Sequence, residues 1–289
     1  MKVLLTGATG FTGSSVFHEL RRRGVGVRIY ARDGIKATAL AGKEAEICIG
    51  DLGDRPGFTS ACEGCDVLIN VASIGFGHAS TIVKAAEDGG IIRTIFVSTT
   101  AIFTQLNAAS KAVRTAAEAQ IRNSKLRWTI LRPTMIYGSD RDRNICRLIR
   151  AIRRYPILPV FGSGDYLMQP VYVADLAFAI VNAANSAVAE NKEYNVSGRE
   201  PLTYNELVHT VARQLGRKIR LVHFPAKPAV KVLRGMERMG VRLPIKAEQI
   251  ERLNEHKAFS WEQAGCDLGF APRTFAEGVA LEIASLRFK

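Results

Sequence analysis

The chain has 289 residues, 47% of them apolar and 23% charged, a balance that is typical of a folded globular protein and excludes a disordered or fibrous one. Its length allows one large domain, or a nucleotide-binding domain with a smaller companion. The net charge of +13 is compatible with solvated helix faces, with an anionic substrate, or with a membrane or partner surface, but the basic segments lack the interleaved aromatic residues of nucleic-acid binders.

The first two thirds of the chain alternates β-rich segments with helical ones. This pattern predicts an α/β fold, in which helices cover a doubly wound parallel sheet. Helices are expected at Ser14 to Arg23, closed by Gly24, and at Ala79 to Asp88, closed by two glycines. About seven strands are predicted, at KVLLTG, VRIYAR, EICIGD, DVLINVA, TIFVST, WTILRP and EYNVSG.

The rest of the chain, from about Pro201, is predicted to be mostly helical. Short β segments are expected at IRLVHF and near Phe259, and a helix from Thr274 to Leu286. The segment from Pro133 to Pro170 leaves the sheet, and the helix VADLAFAIVNAAN leads back to it. We therefore predict a nucleotide-binding domain of residues 1–133 plus about 170–198, and a smaller domain of about 134–169 plus 199–289.

The segment VLLTGATGFTGSSVFHELRRRG is a strand, a glycine turn and a helix in that order. Gly7, Gly10 and Gly13 have the GxxGxxG spacing that permits a tight turn, close approach of a pyrophosphate, and close packing of helix on strand. Phosphates are expected at the positive end of the helix, beside Thr9, Phe11 and Thr12. The motif predicts a dinucleotide cofactor and a sheet of the Rossmann type.

The second strand ends in Ala31, Arg32 and Asp33. An acidic residue at this position holds the ribose 2′-hydroxyl of NAD, whereas an arginine can bind the 2′-phosphate of NADP. Arg32 favours NADP, and Asp33 leaves NAD open.

The chain resembles the extended and atypical short-chain dehydrogenase/reductases. This group contains nucleotide-sugar epimerases and dehydratases and the cofactor-binding subunit of respiratory complex I. The resemblance rests on TGATGFTG, on GD before Leu52, on VSTT, on LRPTMIYG and on QPVYVADLA. It is nearest to the atypical branch like the complex I subunit, in which the lysine of the catalytic motif is often kept and the tyrosine lost.

The resemblance implies a role for particular residues. Thr100 takes the place of the catalytic Ser or Thr, and Lys111 holds the nicotinamide ribose. Further cofactor-binding positions are implied beside the adenine, along the groove and around the nicotinamide: Asp51, Leu52, Val71, Ala72, Ser73, Ser98 and Pro133.

One departure from the family concerns catalysis. Asn107 stands where active members have a tyrosine, and an amide does not exchange a proton at useful pH. Tyr137, in RPTMIYG, could approach the site and replace it, or it could be a packed aromatic that shapes its loop.

Two hypotheses follow. The first is an NADP-dependent oxidoreductase or nucleotide-sugar epimerase-like enzyme, with a small and possibly anionic substrate. The second is a dinucleotide-binding scaffold or redox sensor whose basic surfaces meet a protein or a membrane. Two series at helical spacing could supply such surfaces; they are Arg143, Arg147, Arg150 and Arg154, and Lys227, Lys231, Arg234 and Arg238.

Neither a metal site nor thiol redox chemistry at the cysteines is expected. The five cysteines are scattered, and the CxxC of Cys62 and Cys65 is predicted at the end of a helix, not at the N-terminus that would stabilise a thiolate. The histidines have no metal-binding spacing. No apolar run reaches the roughly 18 residues of a membrane span, so we expect a soluble, cytoplasmic protein.

Overall fold

The computed structural model describes residues 1–106, 109–241 and 246–286. Its strands are β1 Lys2–Thr6, β2 Gly26–Ala31, β3 Glu46–Ile49, β4 Val67–Asn70, β5 Arg93–Val97, β6 Arg127–Pro133, β7 Ile136–Tyr137, β8 Ile157–Phe161, β9 Leu167–Met168, β10 Val171–Tyr172, β11 Lys192–Val196, β12 Leu202–Thr203 and β13 Arg220–Phe224. Its α-helices are α1 Phe11–Arg22, α2 Gly34–Ala41, α3 Arg55–Cys62, α4 Ala79–Asp88, α5 Ala109–Arg122, α6 Ile145–Arg154, α7 Val173–Asn185, α8 Tyr204–Gln214, α9 Ala226–Arg238, α10 Ala247–Leu253, α11 Glu262–Leu268 and α12 Phe275–Ser285.

The seven strands predicted from the sequence form one parallel sheet, in the order β11-β6-β5-β4-β1-β2-β3. The prediction of an α/β, doubly wound Rossmann-type sheet is therefore confirmed. Chain order reverses between β1 and β4, and open α/β sheets bind ligands beyond the carboxyl ends of the strands at such a point.

Helices cover both faces of this sheet. The apolar sides of α1, α2 and α7 pack on one face, and those of α3, α4 and α5 pack on the other. Because both faces are covered, the central strands are apolar almost throughout, as in the fully buried β4, VLIN.

The segments outside this sheet form three two-stranded pairs, β7 with β10, β9 with β12 and β8 with β13. They pack with α6, α8 and α12 around a third core. The chain leaves the sheet after β6 and returns with β11, along the path that the sequence suggests. The exact division into two domains stays a prediction.

Two local expectations were wrong. Helix α1 begins at Phe11, not Ser14, because Gly10 already provides its extended N-cap. The region around Phe259 is not a strand: its backbone N–H donates to the Oε1 atom of Gln169 at 2.8 Å instead of to a neighbouring strand. In the described ranges no helix is both long and apolar enough to cross a membrane.

Candidate functional site

The glycine turn, residues 7–13, leaves no room for side chains at two of its three glycines. Gly7 has a φ of +69°, and a Cβ there would lie 2.6 Å from the backbone nitrogen of Ala72, after β4. A Cβ on Gly13 would lie 2.0 Å from the carbonyl oxygen of Gly7. The turn therefore brings the ends of β1 and β4 and the first turn of α1 into backbone contact.

The N-terminus of α1 is suited to an anion. Gly10 caps it without a side-chain hydrogen bond, and no acidic residue lies in its first turn. The N–H groups of Phe11 and Thr12 point along the helix axis, where the helix dipole favours negative charge. With the bare backbone of the glycine turn, this arrangement fits the pyrophosphate of a dinucleotide.

The tip of β2 presents an arginine to solvent and holds its acidic residue within a helix cap. Arg32 is exposed. Asp33 is the N-cap of α2, where its carboxylate accepts from the backbone N–H of Lys36 at 3.0 Å and pairs with the Lys36 ammonium at 2.8 Å. The side chain and then the backbone N–H of Lys36 lower the pKa of Asp33. The Asp33 carboxylate is thus occupied within its own helix.

The loops after β3 and β4 are held by their own hydrogen bonds. The Asp51 carboxylate accepts from the backbone N–H of Gly53 at 2.8 Å, and Leu52 packs against the core. Asn70 donates to the carbonyl oxygen of Ala72 at 2.9 Å. The hydroxyl of Ser73 accepts from the N–H of Gly75 at 3.2 Å. The loop that contains Val71 and Ala72 therefore lies fixed beside Gly7.

Thr100 lies just beyond β5, in a short 3₁₀ segment. Its hydroxyl donates to the carbonyl oxygen of Pro133, at the end of β6, at 3.3 Å. The Nζ atom of Lys111, in the first turn of α5, donates to the carbonyl oxygen of Thr104 at 2.7 Å. These residues lie beyond adjacent strand ends, where the nicotinamide half of a dinucleotide is expected. Asn107 lies outside the described residues.

The structure does not favour two of the expected roles. The hydroxyl of Ser98 donates to the buried carboxylate of Glu118 at 2.6 Å. This hydrogen bond lies within the core, so the hydroxyl is not available to the cofactor groove. Tyr137 is 1% exposed and packs against the rings of Tyr172 and Phe275. Burial raises the pKa of Tyr137. Because a proton donor needs access to its substrate, these contacts favour the interpretation of Tyr137 as a packed aromatic residue.

A cleft of about 650 Å³ lies next to Thr100. Its apolar lining comprises Phe103, Met135, Pro159, Val160, Phe161, Met168, Ile250, Leu253 and Phe259. Five ionisable side chains that the sequence did not single out also line it, Tyr204, Arg252, Glu255, His256 and Lys257. Burial raises the pKa of Tyr204 and lowers that of Lys257. No motif marks these residues, because the fold brings them to the cleft from segments far apart in the chain.

The first basic series is shorter than expected. Arg143 precedes α6, which begins at Ile145, so only Arg147, Arg150 and Arg154 lie exposed on the helix.

The second basic series lines a groove of about 740 Å³ between α9 and α10. Arg234 in this groove pairs with Glu251 at 2.6 Å. Val232, on α9, and Met239, at its C-cap, do not line the groove and are 61% and 73% exposed.

The CxxC lies at the end of α3, as expected from the sequence. Burial raises the pKa of Cys62 to about 12, and it also raises that of Cys65. Both groups are therefore thiols at neutral pH, not reactive thiolates. In the part of the chain that the structure describes, no group of three or more His, Cys, Asp or Glu residues could hold a metal ion.

Residues 7–151 match a protein family described as NAD(P)H-binding. The chain belongs to this NAD(P)H-binding family. The matched range covers the glycine turn, the tip of β2, the loop after β4 and the region of Thr100. The resemblance to the extended and atypical short-chain dehydrogenase/reductases is also confirmed, by the family match and by the relatives, and the solved structures share the fold.

Two relatives illustrate the range of this NAD(P)H-binding family. The chain is 27% identical to subunit 9 of the NADH dehydrogenase 1 alpha subcomplex from mitochondria of Arabidopsis thaliana, over 88% of this chain and 68% of the relative. It is 28% identical to a ceramide reductase of Caulobacter vibrioides, over 77% of this chain and 73% of the relative.

Two solved structures share the fold. An NADPH-dependent quinone oxidoreductase of Escherichia coli has a TM-score of 0.77 at 20% identity, over 96% of this chain and 98% of that one. A UDP-glucose 4-epimerase of Thermotoga maritima has a TM-score of 0.76 at 17% identity, over 99% of both chains.

Proposed function

We propose that the protein is an NADP(H)-dependent oxidoreductase that reduces the carbonyl group of a largely apolar substrate in the cleft. The observation that carries this proposal is the position of Thr100. It lies beyond the end of β5, at the edge of the sheet where ligands bind, and also in the wall of the cleft. A substrate in the cleft would therefore lie next to the nicotinamide half of the cofactor.

The preference for NADP is supported by the tip of β2. Arg32 is exposed and can meet a 2′-phosphate, whereas the Asp33 carboxylate is already occupied by Lys36. An Asp that binds the ribose of NAD needs its carboxylate available for the 2′-hydroxyl.

An apolar substrate is supported by the lining of the cleft. Three phenylalanines, two methionines and four smaller apolar side chains contribute to its walls. Pockets that bind small molecules are commonly apolar with a few polar groups that fix orientation. The ceramide reductase relative is named for a lipid substrate, which agrees with such a lining. A nucleotide-sugar substrate is the alternative, suggested by the epimerase of the same fold.

The bound cofactor would supply a hydride. The glycine turn, with Thr9, Phe11 and Thr12, would hold its phosphates. Lys111 would hold the nicotinamide ribose, and Pro133 would lie against one side of the nicotinamide ring. Thr100 orients the substrate carbonyl by turning its hydroxyl, which in this structure donates to the carbonyl oxygen of Pro133, toward the substrate oxygen. After hydride transfer the substrate oxygen needs a proton, and the amide of Asn107 cannot supply one.

The test is the consumption of NADPH with a panel of quinones, alkyl ketones and UDP-sugars. We expect turnover with a quinone or ketone. Met135→Trp, which fills the cleft, should abolish this turnover while NADPH affinity stays unchanged. Lys111→Ala should weaken NADPH binding and also lower kcat. Turnover confined to UDP-sugars would overturn the assignment of the substrate.

The second candidate is a dinucleotide-binding scaffold for a protein or a membrane surface, and the observation that favours it is the exposure of α9. This helix has no buried residue, and it exposes Val232 in addition to its basic residues, with Met239 exposed at its C-cap. Tight NADPH binding without turnover of any member of the panel would decide for the scaffold. Under either candidate function, we propose that the protein is located in the cytoplasm.

A further inference from the structure

Arg141 lies against the glycine turn, although it belongs to the segment that leaves the sheet after β6. Its Nη2 atom donates to the carbonyl oxygen of Thr9 at 2.5 Å, and its Nη1 atom lies 3.4 Å from the hydroxyl oxygen of Ser14. Ser14 is in the first turns of α1. The guanidinium group therefore lies beside the N-terminus of α1, and the Arg141 side chain is exposed.

The backbone around Arg141 is fixed from both sides. Gly138 has a φ of +129°, and a Cβ there would lie 2.6 Å from the ring of Tyr172. Asp142 is 5% exposed and accepts from the backbone N–H groups of Asn144 and Cys146 at 2.7 and 2.9 Å. The loop is thus anchored to the smaller domain, and the arginine between these anchors extends from it to the glycine turn.

The acceptors that Arg141 now uses are neutral. A guanidinium forms stronger, charge-assisted hydrogen bonds to phosphate oxygens, and its planar fork suits two of them at once. The helix end it contacts presents N–H groups and has no acidic residue in its first turn to oppose an anion. A pyrophosphate bound at this helix end would lie within reach of the guanidinium.

We propose that Arg141 is a pyrophosphate-binding residue, by which the smaller domain contributes a cation to the cofactor site. This inference rests on the proposed binding of a dinucleotide. The same loop carries Asn144, which lines the cleft. One short segment therefore touches the cofactor turn at one position and the substrate cleft three residues later.

The experiment compares the affinities of four ligands by calorimetry: NADPH, NADH, ADP-ribose and adenosine 2′-monophosphate. The first three contain a pyrophosphate, and the last does not. Arg141→Gln should weaken each of the first three by the same factor, roughly tenfold for one lost charge-assisted hydrogen bond. It should leave adenosine 2′-monophosphate unchanged, and Arg141→Lys should restore part of the loss.

Two controls separate this effect from others. Arg143→Gln removes a second exposed arginine of the same loop, one that forms no hydrogen bond with the turn among the described residues, and it should change no affinity. Arg32→Ala should give the opposite pattern, weakening NADPH and adenosine 2′-monophosphate but not NADH or ADP-ribose. Because the Arg141 side chain is exposed, the thermal unfolding of Arg141→Gln without ligand should match that of the unchanged protein.

The outcomes distinguish the two proposals. If Arg141→Gln binds ADP-ribose and NADPH as tightly as the unchanged protein, the role of Arg141 is wrong while dinucleotide binding stands. An equal loss for adenosine 2′-monophosphate would also contradict it, since that loss cannot arise at the pyrophosphate. If the unchanged protein binds none of the four ligands, the proposed function itself fails.

Discussion

Lys257 lies in the wall of the cleft, where burial lowers the pKa of its ammonium group. Its backbone N–H donates to the carbonyl oxygen of Leu167 at 2.8 Å, and its Nζ atom donates to the carbonyl oxygen of Arg252. These bonds hold the ammonium in place and leave it further protons to donate. Since Asn107 is not an acid, Lys257 is the residue we expect to protonate the reduced substrate oxygen.

Lys257→Met should lower kcat by roughly a hundredfold, the contribution of a positioned general acid, and leave NADPH affinity unchanged. The active form is the protonated amine. Because its pKa is lowered, this form is lost at a lower pH than for an ordinary lysine, so kcat of the unchanged protein should fall with rising pH on the alkaline side.

Lys257→Arg is the matched variant, since it keeps the positive charge but does not release a proton at accessible pH. We expect it to be as slow as Lys257→Met. Full activity of Lys257→Arg would show that charge alone suffices, and full activity of Lys257→Met would exclude Lys257 from the reaction. The measurement is the pH profile of kcat for the three proteins.

At the scale of elements, α12 packs in the third core, beside α6 and α8, and Glu282 is buried on it. Its side chain is 0% exposed, and its carboxyl group lies beside that of Asp142. Burial, followed by repulsion from the Asp142 carboxylate, raises the pKa of Glu282 to about 8, against smaller opposing effects of the Gly138 backbone N–H and of Arg150. Asp142 anchors the Arg141 loop, so α12 and this loop share one buried pair of carboxyl groups.

This pair predicts a pH dependence of stability. In the unfolded chain Glu282 loses its proton near the ordinary glutamate pKa of 4.5, whereas in the folded protein it keeps the proton until about pH 8. The folded state therefore binds more protons between these values, and the contribution of Glu282 to stability falls as pH rises through that window. Below pH 4.5 the contribution is fully present.

Glu282→Gln should remove this dependence, because an amide stays neutral in both states. At pH 9 we expect the variant to be more stable than the unchanged protein by at least about 1 kcal/mol, less than the full shift would give. Chemical denaturation at roughly pH 5 and pH 9 measures the difference. Glu262→Gln, at an exposed position, is the control, and an equal gain there would contradict the explanation.

At the scale of the whole molecule, the sequence predicts the sheet well and the substrate side poorly. All seven strands are found because alternation of buried strands and amphipathic helices is a local pattern. The glycine turn is found because its glycines are required sterically, as at Gly7 and Gly13. In both cases the determinants lie close together in the chain.

Long-range contacts explain the rest. The contact of Arg141 with Thr9 joins residues 132 positions apart, and that of Ser98 with Glu118 depends on how α5 packs against β5. Lys257 reaches the cleft only because the segment after α10 folds back over it. No local pattern predicts such contacts, and the same holds for Tyr137, whose ring could equally have faced a ligand.

The proposed reaction passes a hydride from NADPH to a substrate carbon in the cleft. The test uses NADPH that carries deuterium at the hydride-donating carbon of its nicotinamide, together with a ketone that the panel identifies, because the alcohol product keeps the deuterium on carbon. For a quinone, whose hydroquinone loses the deuterium to water, the slowing of turnover by the deuterium is measured instead. Mass spectrometry of the alcohol product should find the label with the unchanged protein and none with Met135→Trp. Bound NADPH that keeps its label with every substrate would contradict the account.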